Sequence, residues 1–524
     1  MEHPGLSLSV VLRYLILPLA WLALATLLHT RTGRPRTGAF DRGPWAVWWL
    51  IVTFWMVYGI MGYLHYRAYR TTIQDLGVYD QRLWVLSRTW PFPSPGQIVS
   101  IFGHFSPILA LHVLAYKLYP SAVVLIALQV AAVGLGAYPL YHLAERRVGS
   151  AVALALAAAY LLYPSVVFTV LFDFHPDHLV IPLLLFAYYF LDVGNRWGLA
   201  VSGALMLLIK ESIGPTVAAF GVYAILVARR YRLGAVLALG SLAFLGFVIL
   251  PRYPALFSSG AGGESYGYLG ASAPEILRTV LTSPGLWVPE IVQVPKLKFL
   301  FLMLAPLMFL PLLAPAVMLV ALPGLLMALL SRHPHRYQIW TQYMAPLIPP
   351  LFAGAVFGSE RLAARFARGP VGGRRMGTLL PLWIIATALY FNVVFSPSPL
   401  STTFWAGEPE WLRWPFHFRA YVVGRREQEI REALQRHVPA DSRVSVASQN
   451  NINASYLAHR AVYTQVPDEA SYVVVDVKRP LFIYDRIDPA AFDARLAQLR
   501  RERPILYESD GFLIFGPSAP ATTR

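Results

Sequence analysis

Long apolar runs alternate with short polar loops through the first three quarters of the chain, and they stop near residue 395. A helix needs about 20 apolar residues to cross the hydrocarbon core of a bilayer. The pattern therefore predicts an all-α polytopic membrane domain of about twelve helices, several of them shorter than usual. The predicted spans are residues 7–29, 45–64, 121–143, 151–172, 179–193, 197–211, 213–228, 233–250, 299–313, 316–331, 340–357 and 378–395.

The pattern changes at residue 396, after which no apolar run reaches membrane length. Residues 425–439 and 489–503 have helical periodicity. The segments SRVSVAS, AVYTQV, SYVVVDV and ILYESDGFLIFG predict short strands, the last of them with an Asp-Gly turn. Alternating helices and strands indicate a small α/β domain over residues 396–524.

The arginines predict the orientation, because cytoplasmic loops retain Lys and Arg. Basic residues occupy alternate loops, so residues 65–120, 173–178, 251–298, 332–339 and everything after 396 are expected outside. We therefore expect a multi-pass protein of the plasma (inner) membrane with an extracytoplasmic carboxy-terminal domain. The basic residues of the cytoplasmic loops are Arg31, Arg34, Arg36, Arg42, Arg146, Arg147, Arg196, Arg229, Arg230, Arg232, Arg361, Arg365, Arg368, Arg374 and Arg375.

The predicted organisation has three parts. Residues 1–44 form an extra amino-terminal helix with a cytoplasmic loop, residues 45–395 form the membrane domain with a first outer loop at 65–120, and residues 396–524 form the α/β domain. Residues 197–228 can be either a hairpin of two short helices or one long helix. One long helix would invert every later loop and place the arginines of residues 361–375 outside, so the hairpin is favoured.

Composition agrees with a membrane protein, since 56% of the residues are hydrophobic and 14% are charged, against about 25% charged residues in soluble domains. The formal net charge of +16 lies almost entirely within residues 1–395. It therefore records membrane orientation, and it gives no support to a nucleic-acid partner. The chain has no cysteine, which excludes disulfides, thiolate nucleophiles and Cys-ligated metals.

The few ionisable residues beside apolar runs carry the candidate chemistry, because a charge at the bilayer centre costs about 2.5–3.5 kcal/mol on insertion scales. Each segment alone has an ordinary structural explanation, such as a solvated interfacial helix or a Lys-Glu pair at a helix end. Their joint placement on one membrane face favours a functional site. The candidate residues are Asp75, Asp80, His104, Asp173, His175, Asp177, His178, Lys210, Glu211, His335, Arg336 and Tyr337.

The segments DLGVYDQ, HFSP, FDFHPDHL, the Lys-Glu pair and RYQIWTQYMAPLIP occur in this order from residue 75 onward. In this they resemble the prokaryotic membrane-protein family catalogued as domain of unknown function 2079. That family is similar to the C-type glycosyltransferase superfamily, multi-helix enzymes that transfer sugars from polyprenyl-phosphate carriers on the outer membrane face. The resemblance implies that Asp75 stands at the position of the catalytic acidic residue, and that the α/β domain is the usual extracytoplasmic appendage. The superfamily's paired acids are replaced here by Asp75 and Asp80, five residues apart, which leaves the base and any metal unassigned.

We therefore expect an integral membrane glycosyltransferase-like protein that moves a sugar from a polyprenyl-phosphate donor, held in the membrane lipid, to an acceptor hydroxyl. Asp75 is the expected base, with Asp80 as the second catalytic acid. Lys210 and Arg336 are expected to contact the departing phosphate.

The other candidates, which include His104, His175 and His178 with Asp173 or Asp177, could orient the sugar or hold a divalent cation such as manganese or zinc.

Two other classes of function fit part of the sequence. A secondary transporter would use the acids, histidines and lysine as an ion relay. A non-catalytic membrane scaffold would bind a partner through its outer domain.

Overall fold

In the described residues, helices predominate as far as Phe395, and a mixed sheet follows. The predicted first span and the arginine-rich loop after it lie outside the described residues. The computed structural model describes residues 43–89, 100–101, 104–251, 261–366, 372–407, 416–439, 444–449, 452, 461–463, 470–479 and 489–518.

The helices and strands are numbered along the chain. The helices that precede the sheet domain are α1 (Gly43–Arg67), α2 (Val78–Thr89), α3 (Ala110–Leu118), α4 (Ala122–Leu135), α5 (Ala137–Val148), α6 (Ser150–Leu162), α7 (Pro164–Leu171), α8 (Val180–Val193), α9 (Arg196–Leu207), α10 (Gly214–Leu226), α11 (Tyr231–Phe244), α12 (Ala261–Tyr266), α13 (Ala273–Thr282), α14 (Pro284–Ile291), α15 (Val294–Leu304), α16 (Pro315–Met318), α17 (Leu322–Leu329), α18 (Ile348–Phe366), α19 (Gly372–Phe395) and α20 (Thr402–Ala406). A short antiparallel pair, β1 (Ser100–Ile101) and β2 (His104–Phe105), lies in the predicted first outer loop.

Within the described part of the chain, five helical segments are long and apolar enough to cross a membrane, and the bent pair α6–α7 makes a sixth. The pair bends by 45° because Pro164 begins a new helix directly after Tyr163. The predicted count of about twelve spans is not reproduced by this criterion, since several predicted runs form shorter helices. The five segments are Pro44–Arg67, Ala122–Val148, Pro176–Val193, Tyr231–Ile249 and Gly377–Phe395.

The prediction of continuous helices over residues 299–313 and 316–331 is wrong. Helix α15 ends at Leu304, and Met308 and Phe309 have positive φ angles of 54° and 57°. Short 3-10 turns and helices then fill the segment as far as Leu329. Proline recurs through it and removes the backbone N–H groups that a continuous helix needs.

Residues 196–226 form the predicted hairpin. Gly194 lies beside Arg230, and Gly203 faces Leu237 on α11, so α9 rises parallel to α11. Gly214 faces Leu245, so α10 returns in the opposite direction. The reversal places Lys210 and Glu211 at the tip between two apolar helices.

The described parts of the loops predicted on the cytoplasmic side lie together at one end of the helices. Arg146 donates to Asp192 at 2.9 Å, and Arg147 donates to Glu360 at 3.0 Å and also to Asp192. These contacts join the ends of α5, α8 and α18. Described residues of the loops predicted on the outer side, such as Asp75, His104 and His175, lie at the other end, beside the hairpin tip.

The described residues after position 416 form a domain with a five-stranded sheet and a helix on each face. Its elements are α21 (Arg425–His437), β3 (Ser445–Ser448), β4 (Ala461–Tyr463), β5 (Tyr472–Asp476), α22 (Pro489–Glu502), β6 (Ile505–Ser509) and β7 (Phe512–Phe515), with strand order β4-β3-β5-β7-β6. Strands β3, β4 and β5 are parallel, and β6 and β7 form an antiparallel hairpin. Asp510 and Gly511 both have positive φ in its turn, as the predicted Asp-Gly turn requires.

Successive side chains of each strand point to opposite faces of the sheet, so the apolar residues of this domain form two clusters. Val474 and Ile514 face α21, whereas Val473 and Leu513 face α22. Tyr69, just beyond α1, belongs to the α21 cluster. The sheet domain therefore packs against the end of the helices at which the outer loops lie.

We expect Gly221→Ala to destabilise the hairpin that carries Lys210. A Cβ at Gly221 would lie 2.5 Å from the backbone nitrogen of Ala238 on α11, so the helices would have to separate. Overpacking of this kind costs about 1–3 kcal/mol, measurable as a lower midpoint of thermal unfolding in detergent. The matched control is Gly240→Ala on α11, where a Cβ meets nothing within 4 Å. Equal midpoints for the two variants would contradict this packing.

Candidate functional site

The imidazole of His175 contacts the carboxylate of Asp75 at the outer-loop end of the helices. Its Nε2 lies 3.1 Å from Oδ1 of Asp75, and its Nδ1 lies 2.9 Å from the backbone carbonyl oxygen of Asp173. Because a carbonyl only accepts, Nδ1 carries a proton and Nε2 faces Asp75. Burial by itself would lower the pKa of His175, but the charge and hydrogen bond of Asp75 raise it above its usual value. The pair therefore favours an imidazolium beside a carboxylate.

Local structure fixes both partners of this pair. Asp75 lies in a π-helical turn, Ile73–Gly77, that precedes α2. The backbone N–H of His175 donates to Oε1 of Gln129 at 3.1 Å, and Nε2 of Gln129 donates to the carbonyl oxygen of Thr169 at 2.8 Å. An amide from the middle of an apolar run thus binds the loop that carries His175.

Asp173 joins the first outer loop to the end of α7. Its Oδ2 accepts from the backbone N–H of Thr72 at 2.6 Å and from the Thr72 hydroxyl at 2.5 Å. Burial, followed by the charge of Asp75, raises the pKa of Asp173 to about 7. This carboxyl therefore holds a proton over a pH range in which ordinary aspartates are ionised.

A second group of charges lies at the tip of the α9–α10 hairpin. Nζ of Lys210 is 3.4 Å from Oδ2 of Asp177. Oε1 of Glu211 is 2.6 Å from Nδ1 of His104, and its Oε2 accepts from the backbone N–H of Phe105 at 3.0 Å. Three segments distant in sequence therefore supply alternating charges to this group.

The loop over residues 331–343 reaches both groups. The ring of Trp340 lies 5.3 Å from the ring of His335 and 6.0 Å from that of Phe172, which stacks on His175. The guanidinium of Arg336 lies 4.7 Å from the centre of the Tyr343 ring and 5.6 Å from that of Tyr266. Within the described ranges Arg336 forms no ion pair, so its N–H groups are available for an anion.

Tyr79 lies among these groups. Its ring is edge-on to His175, with centroids 6.2 Å apart. Burial, followed by the charges of Asp177, Asp75 and Glu211, raises its pKa well above the usual value, so the phenol stays neutral. The turn Gln342–Met344 packs against Pro176–Leu179, which brings Tyr343 to the same place.

Not all candidate residues share this surface. Asp80 is fully buried and accepts a hydrogen bond from the Tyr116 hydroxyl at 2.6 Å. The buried ring of His178 faces that of His112, with centroids 6.2 Å apart. Tyr337 faces away, toward Lys296, whose Nζ lies 5.1 Å from the ring centre. A catalytic role for Asp80 stays a prediction, and its carboxylate lies in an apolar cluster.

Other residues of the site were not anticipated from the sequence. Gln129 had one signal, because a lone amide in the middle of an apolar run needs a partner. Thr72 precedes the DLGVYDQ motif and had no signal. Tyr79 lies inside that motif, but tyrosine is common at membrane edges, so it did not stand out.

A divalent cation was one open use of the histidines and acids. In the described residues, no group of three or more His, Asp or Glu side chains is arranged to hold a metal ion. We therefore assign no metal ligands among them.

The sequence profile of the family described as "Predicted membrane protein (DUF2079)" matches residues 65–501. The chain belongs to this family. The matched range contains every residue of the site and most of the sheet domain, and it confirms the resemblance seen in the ordered motifs. The family description itself gives no reaction.

The chain is also similar to two crystal structures of ArnT from Cupriavidus metallidurans, one bound to undecaprenyl phosphate and one in the apo state. Each alignment has 13% sequence identity and a TM-score of 0.48, and covers 89% of this chain and 97% of ArnT. Among curated protein sequences, none matches the chain.

We expect Asp173→Asn to change how stability depends on pH. The folded pKa of Asp173 is raised to about 7, whereas an aspartate in an unfolded chain titrates near about 3.9. The unfolded state therefore loses this proton first, and the stability of the wild type falls as pH rises between these values. The amide cannot ionise, and its oxygen can still accept from Thr72.

The measurement is the midpoint of thermal unfolding in detergent from about pH 5 to about pH 8. The midpoint of Asp173→Asn should rise relative to the midpoint of the wild type as the pH rises. Curves that stay parallel over this range would show that Asp173 does not titrate as described.

Proposed function

We propose that this protein is a membrane glycosyltransferase that moves a sugar from a polyprenyl-phosphate donor to an acceptor hydroxyl at the outer membrane face. One observation carries the proposal. Asp75 keeps 16% of its side chain exposed, against 5% for Asp177 and 6% for Glu211, and the buried imidazole of His175 orients it. An oriented, reachable carboxylate is what a general base needs.

The reaction balances with the groups present. Asp75 accepts the proton of the acceptor hydroxyl while that oxygen forms a bond to the anomeric carbon of the sugar. The bond between the anomeric carbon and the phosphate oxygen breaks, and polyprenyl phosphate leaves with its electron pair. Negative charge grows on the departing phosphate, so cations must lie beside it.

Lys210 and Arg336 are suited to that second task. The Lys210 ammonium is a point charge held in place by Asp177. The Arg336 guanidinium lies against Tyr343 and Tyr266, which leaves its N–H groups free to grip two phosphate oxygens. Tyr343 contacts the Arg336 guanidinium and also acts electrostatically on Lys210, so the two cations lie on the same side of the site.

The arrangement of charge supports an outer-face reaction. Arg146 and Arg147 lie at the opposite end from Asp75, and arginine-rich loops are typical of the cytoplasmic side. The sheet domain packs at the end that carries the site. We therefore assign both the site and the sheet domain to the extracytoplasmic side of the plasma membrane.

We expect Asp75→Asn to lower turnover with a labelled polyprenyl-phosphate sugar by about 10²–10⁴-fold, the usual effect of losing a general base. Donor binding should be nearly unchanged, because the amide keeps the shape of the side chain. Purified protein in detergent, with labelled product counted over time, measures both quantities.

The matched comparison is Asp80→Asn, whose carboxylate contacts Tyr116 in an apolar cluster. This variant should lose stability but retain turnover at low temperature. Full turnover in Asp75→Asn would assign the base elsewhere, and loss of turnover in Asp80→Asn alone would assign it to Asp80. A wild type that binds no polyprenyl-linked sugar would contradict the transferase proposal.

We expect Arg336→Gln to raise the KM for the lipid donor and to lower kcat/KM by about 10–100-fold, since a hydrogen bond to a charged group contributes about 1.5–3 kcal/mol. Arg332→Gln is the matched control. Arg332 is already paired with Glu290 at 2.8 Å and stacks 4.1 Å from the Tyr268 ring centre. Equal losses in the two variants would indicate a general effect of loop charge.

A further inference from the structure

Tyr69 occupies a backbone position that normally belongs to glycine. Its φ is +56°, in the left-handed region that a bulky side chain disfavours. The N–H of Tyr69 donates to the carbonyl of Tyr66, and the N–H of Arg70 donates to that of His65. These two bonds form a Schellman motif at the end of α1, and Tyr69 holds the position at which glycine is usual.

The Tyr69 side chain supplies the compensation. It is 6% exposed and belongs to the apolar cluster of the sheet domain. That cluster includes Ile430 and Leu434 of α21 and Val446 of β3. A tyrosine in this conformation persists when surrounding contacts hold it, and those contacts come from the other domain.

The segment that follows Tyr69 builds the site. Three residues on, Thr72 binds the Asp173 carboxylate through its N–H and hydroxyl. The carbonyl of Thr72 accepts from Gly77 at 3.0 Å, and its hydroxyl accepts from the N–H of Asp75 at 3.4 Å. The turn that presents Asp75 therefore begins almost at the point where the sheet domain holds the chain.

We propose that Tyr69 is a positioning residue through which the sheet domain holds the turn that presents Asp75. The role of that turn in sugar transfer rests on the function proposed above, whereas the mechanical link does not. The sheet domain then serves the site by fixing the direction in which the chain leaves α1.

Hydrogen exchange in the full-length protein tests the link without any substrate. The reporters are the amides of Thr72, bonded to Asp173, and of Gly77, bonded to Thr72. In Tyr69→Ala and in Leu434→Ala both amides should exchange at least about tenfold faster, because the local structure opens more often. Amides in the middle of α4 should stay protected in both variants.

Leu499→Ala is the matched control for Leu434→Ala. Leu499 is as buried as Leu434 but lies in the cluster on the opposite face of the sheet. It should leave Thr72 and Gly77 protected. Tyr69→Gly removes the backbone strain together with the side chain, and should behave like Tyr69→Ala. Wild-type protection in either Tyr69 variant, or equal acceleration in Leu499→Ala, would overturn the proposal.

Turnover gives an independent reading. Tyr69→Ala should lower kcat for sugar transfer while leaving the KM for the lipid donor unchanged, since Lys210 and Arg336 are not held by Tyr69. A higher KM with kcat unchanged would contradict positioning of the base. A wild type without transferase activity would overturn the proposed function, and the exchange rates would still decide the role of Tyr69.

Discussion

The contact between His175 and Asp75 is the interaction on which the site end of the helices depends. It requires the imidazole to be held from behind by the carbonyl of Asp173, which in turn requires the Asp173 carboxyl to be bound by Thr72. Burying a polar group or a charge without a partner is costly, so each of these groups needs the next one once the first is buried. The first outer loop and the bent pair α6–α7 are thereby fixed to each other by polar bonds at the edge of an apolar bundle.

The remaining charges follow the same logic. Glu211 satisfies His104 and the backbone of Phe105, so the hairpin tip cannot move away from the first outer loop without exposing an unpaired carboxylate. The hairpin itself is held by the close approach of Gly221 and Gly234 to the facing helices. Rigid apolar packing and paired charges together hold Lys210 beside Asp177 and Asp75 beside His175.

The sheet domain was the most predictable part of the chain. Short apolar runs and an Asp-Gly dipeptide predict β5, β6, β7 and their turn with little help from distant residues. The region over 299–331 was the least predictable, because its hydrophobicity favours a span while its prolines prevent one, and only the packed structure decides. Hydropathy alone therefore does not separate a continuous helix from an apolar run that prolines interrupt.

For the site, the sequence indicated which segments meet. Acids and imidazoles beside apolar runs are costly in the hydrocarbon core, so they are expected to pair with one another at the membrane edge. The family resemblance favoured Asp75 over Asp80 as the base, but both carboxylates lie in the same motif. Only the structure shows that Asp80 is turned toward the Tyr116 hydroxyl. Tyr79 and Thr72 are common residue types. They belong to the site only because they contact residues about 100 positions later in the chain.

The polar pairs also have an order. Thr72 precedes Asp173, Asp75 precedes His175, His104 precedes Glu211, and Asp177 precedes Lys210. For a chain that enters the membrane as it is synthesised, each later partner meets an earlier one that has already crossed. A group such as Asp173 need never wait in lipid for its partner. The pairs that build the site thus also offer each new hairpin an earlier segment to bind. One set of contacts serves both the assembly of the helices and the arrangement of the site.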